Sequence, residues 1–290
     1  MNSKLTFLNF FLITILSTAS INAQDKISIA QFEDSIKTSI NQLIVERTDD
    51  GRQIINNKII ALFDKILLKR ESFNYPFDSL KNISKLTASD SMARVINWNL
   101  PKQNGEYQYF GYIQLLDKKR KKLKLFKLND TSNEIEKPEF EKLGAENWFG
   151  SLYYHIETNT DGKNTYYTLL GWDGNNNFSN KKLIECFYFN GKKLVFGPPI
   201  FKMETEVKSR LIFEYAKQAK MMVRYDKKIK MIVYDHLAPS HKKFTGQYMY
   251  YGPDMSQDGI QFIDGHWVIK PNLDLRNNEE SKGKSIKKSF

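Results

Sequence analysis

Apolar residues recur at steps of three and four in two stretches near the N-terminus, a spacing that places them on one face of an α-helix. The first stretch runs from about Ser28 to Glu46, and the two stretches contain Ile29, Phe32, Ile36, Ile40, Leu43 and Ile44, then Ile55, Ile59, Leu62, Phe63, Ile66 and Leu67. The polar turn Asp49-Asp50-Gly51 is expected to separate them. This pattern predicts an antiparallel helical hairpin that packs its apolar face on another element. One more short helix is expected at Leu80, Ile83 and Leu86.

From about Met92 the period of the apolar positions changes to two, which is typical of β-strands. Turn dipeptides suited to positive φ angles separate the strand-like segments, at Asn104-Gly105, Asp161-Gly162, Asn190-Gly191 and Asp264-Gly265. Sequential hairpins predict an antiparallel meander of about a dozen strands, because parallel pairing needs long crossovers.

The predicted fold class is therefore mainly β (α+β), with the helical hairpin packed on a large, sandwich-like antiparallel sheet domain. An incomplete propeller-like array is the alternative. The four Trp residues, at positions 98, 148, 172 and 267, are spaced irregularly and show no repeat of blade length, which favours the sandwich.

The N-terminus has the pattern of a secretory signal peptide. Residues 5–16 form an apolar run after Lys4, too short for a permanent membrane helix, and small residues follow it. Cleavage is expected after Ala23, or alternatively after Ala19. We therefore expect an exported chain, in the periplasm or outside the cell, without a transmembrane anchor in its mature form.

The predicted domain organisation has four parts. Residues 1–23 are the signal peptide, 24–87 a helical N-terminal segment, 88–276 the antiparallel β domain and 277–290 a polar, disordered tail.

Composition adds two exclusions. With 41% hydrophobic residues in 290, the chain has enough apolar material for a core and is not generally disordered. Its single cysteine, Cys186, excludes an intramolecular disulfide and every zinc or iron–sulfur site that needs several cysteines. Cys186 lies in a strand-like, largely apolar segment, Leu183 to Phe189, where it acts as a small hydrophobic residue. Its thiol is therefore expected to be buried.

The formal net charge of +11 raises the question of a nucleic-acid partner. Most of the 44 basic residues are Lys and are scattered, whereas Arg is the side chain that reads phosphate and bases bidentately. The densest run, Lys118 to Lys122, lies between two strand-like segments and is interpreted as a solvated hairpin tip. A nucleic-acid partner is not expected, and attachment to an acidic polymer stays open as a third hypothesis.

The sequence contains no nucleophile elbow, Walker loop, dinucleotide-binding fingerprint or HExxH pair, so no catalytic residue, metal site or cofactor is assigned. Asp173, Asn175 and Asn177 alternate as calcium-loop ligands do. However, Phe178 replaces the hinge glycine and Ile184 the bidentate Glu, which favours a wide polar turn.

Two polar clusters at strand ends supply the binding candidates, which are Trp172, Asp173, Asp235, His236, Tyr251 and Asp254. Aromatic rings beside carboxylates are typical of sugar-binding and glycosidase clefts. The same residue types also cap strands and stabilise turns.

Four segments carry a resemblance to a family. They are Trp148 to Tyr154, Tyr167 to Asn175, Phe196 to Phe201 and Tyr251 to Asp254. Over roughly residues 70–276 the chain resembles an uncharacterised group of exported proteins from Gram-negative bacteria. The resemblance implies export and a β-rich body, and it implies no activity, cofactor or catalytic residue.

The leading hypothesis is a non-catalytic binding or structural module of the cell envelope, whose partner is a glycan or another envelope component. The alternative is a glycan-acting hydrolase with paired carboxylates drawn from Asp173, Asp235, Asp254 and Asp258. Two acids about 5–10 Å apart at the floor of a cleft would favour the hydrolase. Acids engaged in turns and ion pairs would favour the binding module.

Overall fold

The computed structural model describes residues 28–117, 122–162 and 164–274. The predicted signal peptide, the centre of the Lys-rich hairpin tip and the predicted tail lie outside the described residues. The predicted mainly β fold is confirmed, with 47% of residues in strands and 20% in helices. No helix in the described ranges combines the length and apolar character needed to cross a membrane.

The predicted helical hairpin is confirmed, as α1 (Ile29–Val45) and α2 (Asp49–Ile66). The expected break at Asp49-Asp50-Gly51 is wrong, because these residues form the first turn of α2. The hydroxyl of Thr48 caps that turn by accepting a hydrogen bond from Gly51 N at 3.1 Å. Carboxylates are favoured at a helix N-terminus by the helix dipole, so Asp49 and Asp50 begin the helix and do not interrupt it.

The expected short helix at Leu80, Ile83 and Leu86 is also wrong. Leu80 and Ile83 are buried in turns, and Leu86 lies on a strand, β1 (Ser84–Thr87). Lys85 Nζ donates to the carbonyl oxygen of Leu80 at 2.6 Å, and β1 pairs with the next strand. Sheet pairing therefore replaces the helical hydrogen bonds that the apolar spacing suggested.

The first sheet has four antiparallel strands in chain order. They are β1, β2 (Ala93–Pro101), β3 (Tyr107–Asp117) and β4 (Lys122–Asn129). The predicted turn at Asn104-Gly105 joins β2 to β3, and Gly105 has a φ of 87°. The helical hairpin covers one face of this sheet, where the Phe63 ring lies 5.2 Å from Trp98.

The second sheet has five strands, which include β5 (Leu152–Asp161), β6 (Asn164–Asp173), β7 (Ser179–Asn190) and β8 (Lys193–Phe196). The fifth strand, β11 (Arg210–Ala216), pairs with β7 from further along the chain. The strand order therefore departs here from the expected simple meander.

The third sheet contains six strands, in the order β10, β9, β15, β14, β13, β12. Their bounds are β9 (Phe201–Lys202), β10 (Val207–Lys208), β12 (Val223–Asp226), β13 (Met231–Pro239), β14 (Tyr251–Ile263) and β15 (His266–Lys270). The pair β9–β15 is parallel, through Trp267 opposite Phe201. The expectation of purely antiparallel pairing is corrected at this point, because a long stretch of chain separates the two strands.

The first two sheets carry apolar side chains on both faces. The helical hairpin, the first sheet, the second sheet and the third sheet therefore pack on one another in this order. On β2, Val95 faces the second sheet while the adjacent Ile96 faces the helices. On β7, Leu183 faces the first sheet while Ile184 faces the third. This alternation explains why the strand segments are rich in apolar residues at successive positions.

Cys186 is buried between the second and third sheets, as its strand pattern predicted. Its Sγ lies 3.1 Å from the hydroxyl of Thr168. Burial raises the pKa of the thiol to about 12, so the reactive thiolate is disfavoured at neutral pH.

A fully buried ion pair joins two strands of the second sheet. Arg210 Nε lies 3.2 Å from a carboxylate oxygen of Glu185, and neither side chain is exposed to solvent. The other carboxylate oxygen accepts a hydrogen bond from the hydroxyl of Tyr153, which in turn accepts one from Trp148 Nε1 at 2.7 Å. Arg210 Nη1 also donates to the carbonyl oxygen of Pro138. The pair therefore connects β5, β7 and β11 to the irregular segment that precedes β5.

We predict that Glu185→Gln lowers the free energy of unfolding by about 3–5 kcal/mol, because it leaves the buried guanidinium without a counterion. Urea denaturation followed by circular dichroism measures the change. The matched control is Glu157→Gln, at a partly exposed carboxylate 3.5 Å from His155, with an expected change below about 1 kcal/mol. Equal effects of the two substitutions would contradict the role given to the buried pair.

Candidate functional site

A cleft of about 370 Å³ lies where the first and second sheets meet. Its walls are the start of β3, the loop after β4, the end of β6 with the following turn, and one side chain of β7. The residues that matter for its chemistry are Tyr107, Gln108, Tyr109, Asp130, Ser132, Asn133, Asp173, Asn175 and Lys181. The lining is therefore rich in carboxylate, amide and hydroxyl groups, and it includes a tyrosine ring.

Tyr109 connects two of the four carboxylates that line the cleft, those of Asp130 and Asp173; the other two belong to Glu106 and Glu134. Its hydroxyl donates to Asp173 Oδ1 at 2.8 Å and accepts a hydrogen bond from Gly174 N at 2.9 Å. Its backbone N–H donates to Asp130 Oδ2 at 2.9 Å. Burial, the adjacent Asp173 charge and this hydrogen bond all raise the pKa of the Tyr109 hydroxyl, so it remains a proton donor.

Asp130 organises the loop after β4. Its Oδ1 accepts hydrogen bonds from the backbone N–H and the hydroxyl of Ser132, and from Gly150 N at 3.3 Å. A β-carbon at Gly150 would lie 2.4 Å from the Asp130 carboxyl carbon, so only glycine permits this approach. The Asp130 carboxylate thus fixes the loop that forms this wall of the cleft.

Asp173 is buried at the end of β6, and this burial raises the pKa of its carboxyl above the ordinary value of 3.8. The nearby Asp130 carboxylate raises it further. Hydrogen bonds from Asn175 N and Tyr109, together with Lys181 Nζ at 4.0 Å, act in the opposite direction. The net effect is a carboxyl that holds its proton to higher pH than an exposed Asp does.

Trp172 lies behind the cleft and does not line it. Its ring meets Tyr107 edge to face, with centroids 5.4 Å apart. A β-carbon at Gly174 would lie 2.1 Å from the Tyr107 ring, so the backbone there packs directly on the ring. Lys217 Nζ lies 5.4 Å from the centroid of the same ring. Trp172 and Gly174 therefore fix the position of Tyr107 in the wall.

A more apolar cavity of about 460 Å³ adjoins this cleft. The two share Ser132, Phe149 and Lys181 in their walls. Beyond these shared residues, the second cavity is bordered by apolar side chains that include Ile135, Phe140, Ile212 and Tyr248. Four charged residues, Glu136, Lys137, Glu139 and Glu214, border it as well, so the polar cleft continues into a cavity of mixed lining.

The candidates Asp235 and His236 lie on β13 in the third sheet, where a register shift interrupts the pairing with β14. Asp235 accepts hydrogen bonds from Met222 N at 2.8 Å and Gln257 Nε2 at 3.1 Å. His236 Nδ1 lies 2.8 Å from Asp258 Oδ2, and Asp258 also accepts from Asn272 N at 2.9 Å. These contacts hold strands and a turn together.

Tyr251 and Asp254 lie on β14 of the same sheet. The hydroxyl of Tyr251 accepts a hydrogen bond from Gly246 N at 3.0 Å. Asp254 Oδ1 accepts from the hydroxyl and the N–H of Ser256, and these bonds lower the pKa of the Asp254 carboxyl. Of the six binding candidates, Asp173 alone lines the polar cleft, so the acids named for a hydrolase are not brought together there.

The segment with calcium-loop spacing forms a turn whose side chains diverge. Asn175 Nδ2 donates to the Ser179 hydroxyl at 2.7 Å, whereas Asn177 Nδ2 donates to the Asn104 carbonyl at 2.9 Å. The described residues include no group of three or more His, Cys, Asp or Glu placed to hold a metal ion.

Sequence reasoning missed Asp130, Gln108, Tyr109 and Lys181. A signal for Asp130 exists, since Asp130-Thr131-Ser132-Asn133 is a polar run directly after a strand. Gln108 and Lys181 lie within strands and carry no local signal.

Comparisons with protein-family models, with curated proteins and with solved structures found no match.

We predict opposite pH dependences for two Asp→Asn variants. The folded chain keeps the Asp173 proton at pH values where the unfolded chain has lost it. The stability of wild type relative to Asp173→Asn therefore falls as pH rises from about 3.8 towards the raised pKa, and is then constant. Asp254 has a lowered pKa, so wild type gains stability relative to Asp254→Asn as pH rises to about 3.8.

Urea unfolding of the three proteins between pH 3 and 7 measures both differences. Slopes of the same sign for the two variants would contradict the assigned environment of Asp173.

Proposed function

We propose that this chain is an exported, non-catalytic binding module of the cell envelope whose polar cleft holds a hydroxyl-rich ligand, such as a glycan. The observation that carries the proposal is that some polar side chains of the cleft are bonded to the protein, whereas others are available to a ligand. Asp130 and Asp173 are bonded to backbone N–H groups and to hydroxyl groups of the protein. Gln108 and Asn133 also line the cleft, and within the described residues neither side chain has a hydrogen bond to the protein.

Amide groups suit such a ligand because each supplies both a donor and an acceptor to a sugar hydroxyl. The Tyr107 ring adds an apolar surface of the kind against which sugar rings pack. The acids outside the cleft also support a binding module, since Asp235, Asp254 and Asp258 all serve turns or strand contacts.

Glycan hydrolysis is the second candidate, and one observation favours it. Asp173, whose pKa is raised by burial, shares the cleft with the hydrogen-bonded Asp130. Enzymes that cleave glycosidic bonds use two carboxyl groups in different environments, one as the acid and one as the base or nucleophile. In this reading Asp173 is the acid.

The proposed binding is tested by isothermal titration calorimetry with tetrasaccharides of N-acetylglucosamine, glucose and mannose. The double variant Gln108→Ala/Asn133→Ala is expected to weaken binding of the best probe by about 5-fold to 150-fold, because each of the two lost hydrogen bonds costs about 0.5–1.5 kcal/mol. The control is Gln53→Ala/Asn57→Ala, which removes the same residue types from α2, where they bond each other at 2.9 Å. Saturable binding to none of the probes, or equal effects of the two double variants, would count against the proposal.

The same incubations distinguish binding from hydrolysis. The binding module leaves each tetrasaccharide intact during prolonged incubation. A release of new reducing ends that Asp173→Asn and Asp130→Asn both abolish would instead establish the hydrolase.

Export is tested separately by expression in a Gram-negative host. The apolar run at residues 5–16 supports recovery of the chain outside the cytoplasm, shortened by its first 23 residues. Leu12→Arg, which places a charge in this run, is expected to retain the full-length chain in the cytoplasm. Mass spectrometry of the fractionated protein gives both masses, and an intact leader on the exported wild-type chain would contradict the prediction.

A further inference from the structure

A separate cavity of about 430 Å³ lies between the helical hairpin and the first sheet. Its walls come from the end of α1, the start and middle of α2, the turn before β1 and the end of β2. Ile59, Trp98 and Leu100 are almost fully buried at this cavity, whereas Ile44 lies at its rim with 62% of its surface exposed. An apolar path thus leads from the surface to the interface of the helices and the sheet.

The chemistry of these walls favours an apolar occupant. The aliphatic residues Ile40, Leu43, Ile59 and Ile83 offer water no hydrogen-bonding partners, so the part of the cavity that they line is a poor site for ordered water. The polar part of the lining consists of Arg52, Lys81, Asn82 and Asn99. Its volume lies within the range of about 300–1,000 Å³ that is typical of small-molecule sites. An alkyl chain placed there would remove apolar surface from water, including that of Ile44.

The charged residues that line this cavity in the described part of the chain are Arg52 and Lys81, and both are cationic. Arg52 Nη1 donates to the Pro101 carbonyl at 2.9 Å, which fixes the guanidinium at the end of β2. Two carboxylates offset part of the Arg52 charge. Asp49 lies 3.8 Å from Arg52 and also accepts a hydrogen bond from Gln103 N, and the charge of Arg52 helps to lower the pKa of the Glu46 carboxyl. Lys81 is therefore the cation on which selection of an anionic head mainly depends.

Lys81 lies in the turn before β1 and lines the cavity together with Leu100 and Pro101. Ser84 on β1 lies opposite Asn97 on β2, in antiparallel pairing, so this turn lies next to the end of β2. Arg52 and Lys81 therefore both line the part of the cavity beside the end of β2.

We propose that this cavity binds a free fatty acid, with the alkyl chain between the helical hairpin and β2 and the carboxylate beside Arg52 and Lys81. Charge complementarity selects an anionic head over a neutral or cationic one. A single alkyl chain suits a cavity of this volume. The proposal is independent of the polar cleft, because the two sites share no lining residue.

The experiment uses cis-parinaric acid, a fluorescent fatty acid that accepts energy from tryptophan. Energy transfer from the four tryptophans of the chain, of which Trp98 lies in the cavity wall, reports its binding. Displacement is then measured with three ligands of the same chain length below their micelle concentrations, namely dodecanoate, dodecan-1-ol and dodecyltrimethylammonium. We expect dodecanoate to displace the probe with an apparent affinity at least tenfold higher than either of the others.

Two matched pairs of variants locate the site. Ile44→Glu is expected to weaken dodecanoate binding at least tenfold, whereas Ile54→Glu leaves it unchanged, since Ile54 is equally exposed at 61% but does not line the cavity. Lys81→Glu is expected to weaken dodecanoate binding at least fivefold and to leave dodecan-1-ol binding unchanged, with Lys58→Glu on α2 as its control. All four positions are at the surface, and urea unfolding verifies that the variants remain folded.

Several results would overturn the proposal. They are the absence of saturable parinaric acid binding, equal effects of the Ile44 and Ile54 variants, and equal affinity for the acid and the alcohol. Binding to vesicles of phosphatidylglycerol without binding of monomeric dodecanoate would also overturn it, since that result identifies a membrane surface as the partner. The tetrasaccharide titrations are expected to be unchanged in all four variants.

Discussion

The structure depends on the neutralisation of one buried charge. Arg210 has no access to water, and its guanidinium is compensated by Glu185 and by main-chain carbonyl oxygens that include that of Pro138. The segment between β4 and β5 contains little regular secondary structure, and the contacts of Pro138 and Trp148 with this network hold it in place together with the bridge between Leu143 and Phe196. Because this segment also carries Asp130, Ser132 and Phe149, the wall of the polar cleft is positioned by an ion pair that does not itself line the cleft.

Local sequence patterns predicted the features that depend on local physics. Both helices follow from the spacing of apolar residues, and Asn104-Gly105 forms the predicted turn because Gly105 adopts a positive φ without steric cost. The predictions that are wrong concern segments whose structure depends on pairing with another strand. The spacing of Leu80, Ile83 and Leu86 fits a helix, but pairing with β2 satisfies the backbone of β1 instead. The pairing of β11 with β7 depends on contacts between distant segments, for which the sequence contains no periodic signal.

The candidate site was predictable only in part for the same reason. Asp173 stands in a conspicuous polar turn and could be singled out from the sequence. Gln108 and Lys181 look like ordinary solvent-facing strand residues, and they become part of one cleft only when the first two sheets pack together. The aromatic and acidic residues near Tyr251 attracted attention by composition, yet in the structure they stabilise β14 and the loop before it.

The parallel pair β9–β15 has a consequence for the order in which the chain can fold. β15 lies between β9 and β14 in the third sheet, so a nascent chain that ends before Trp267 leaves two strand edges of this sheet without partners. Such edges are unstable and prone to pairing with other chains. Completion of the third sheet is therefore delayed until β15 has been synthesised, and until then the unpaired edges need protection from aggregation.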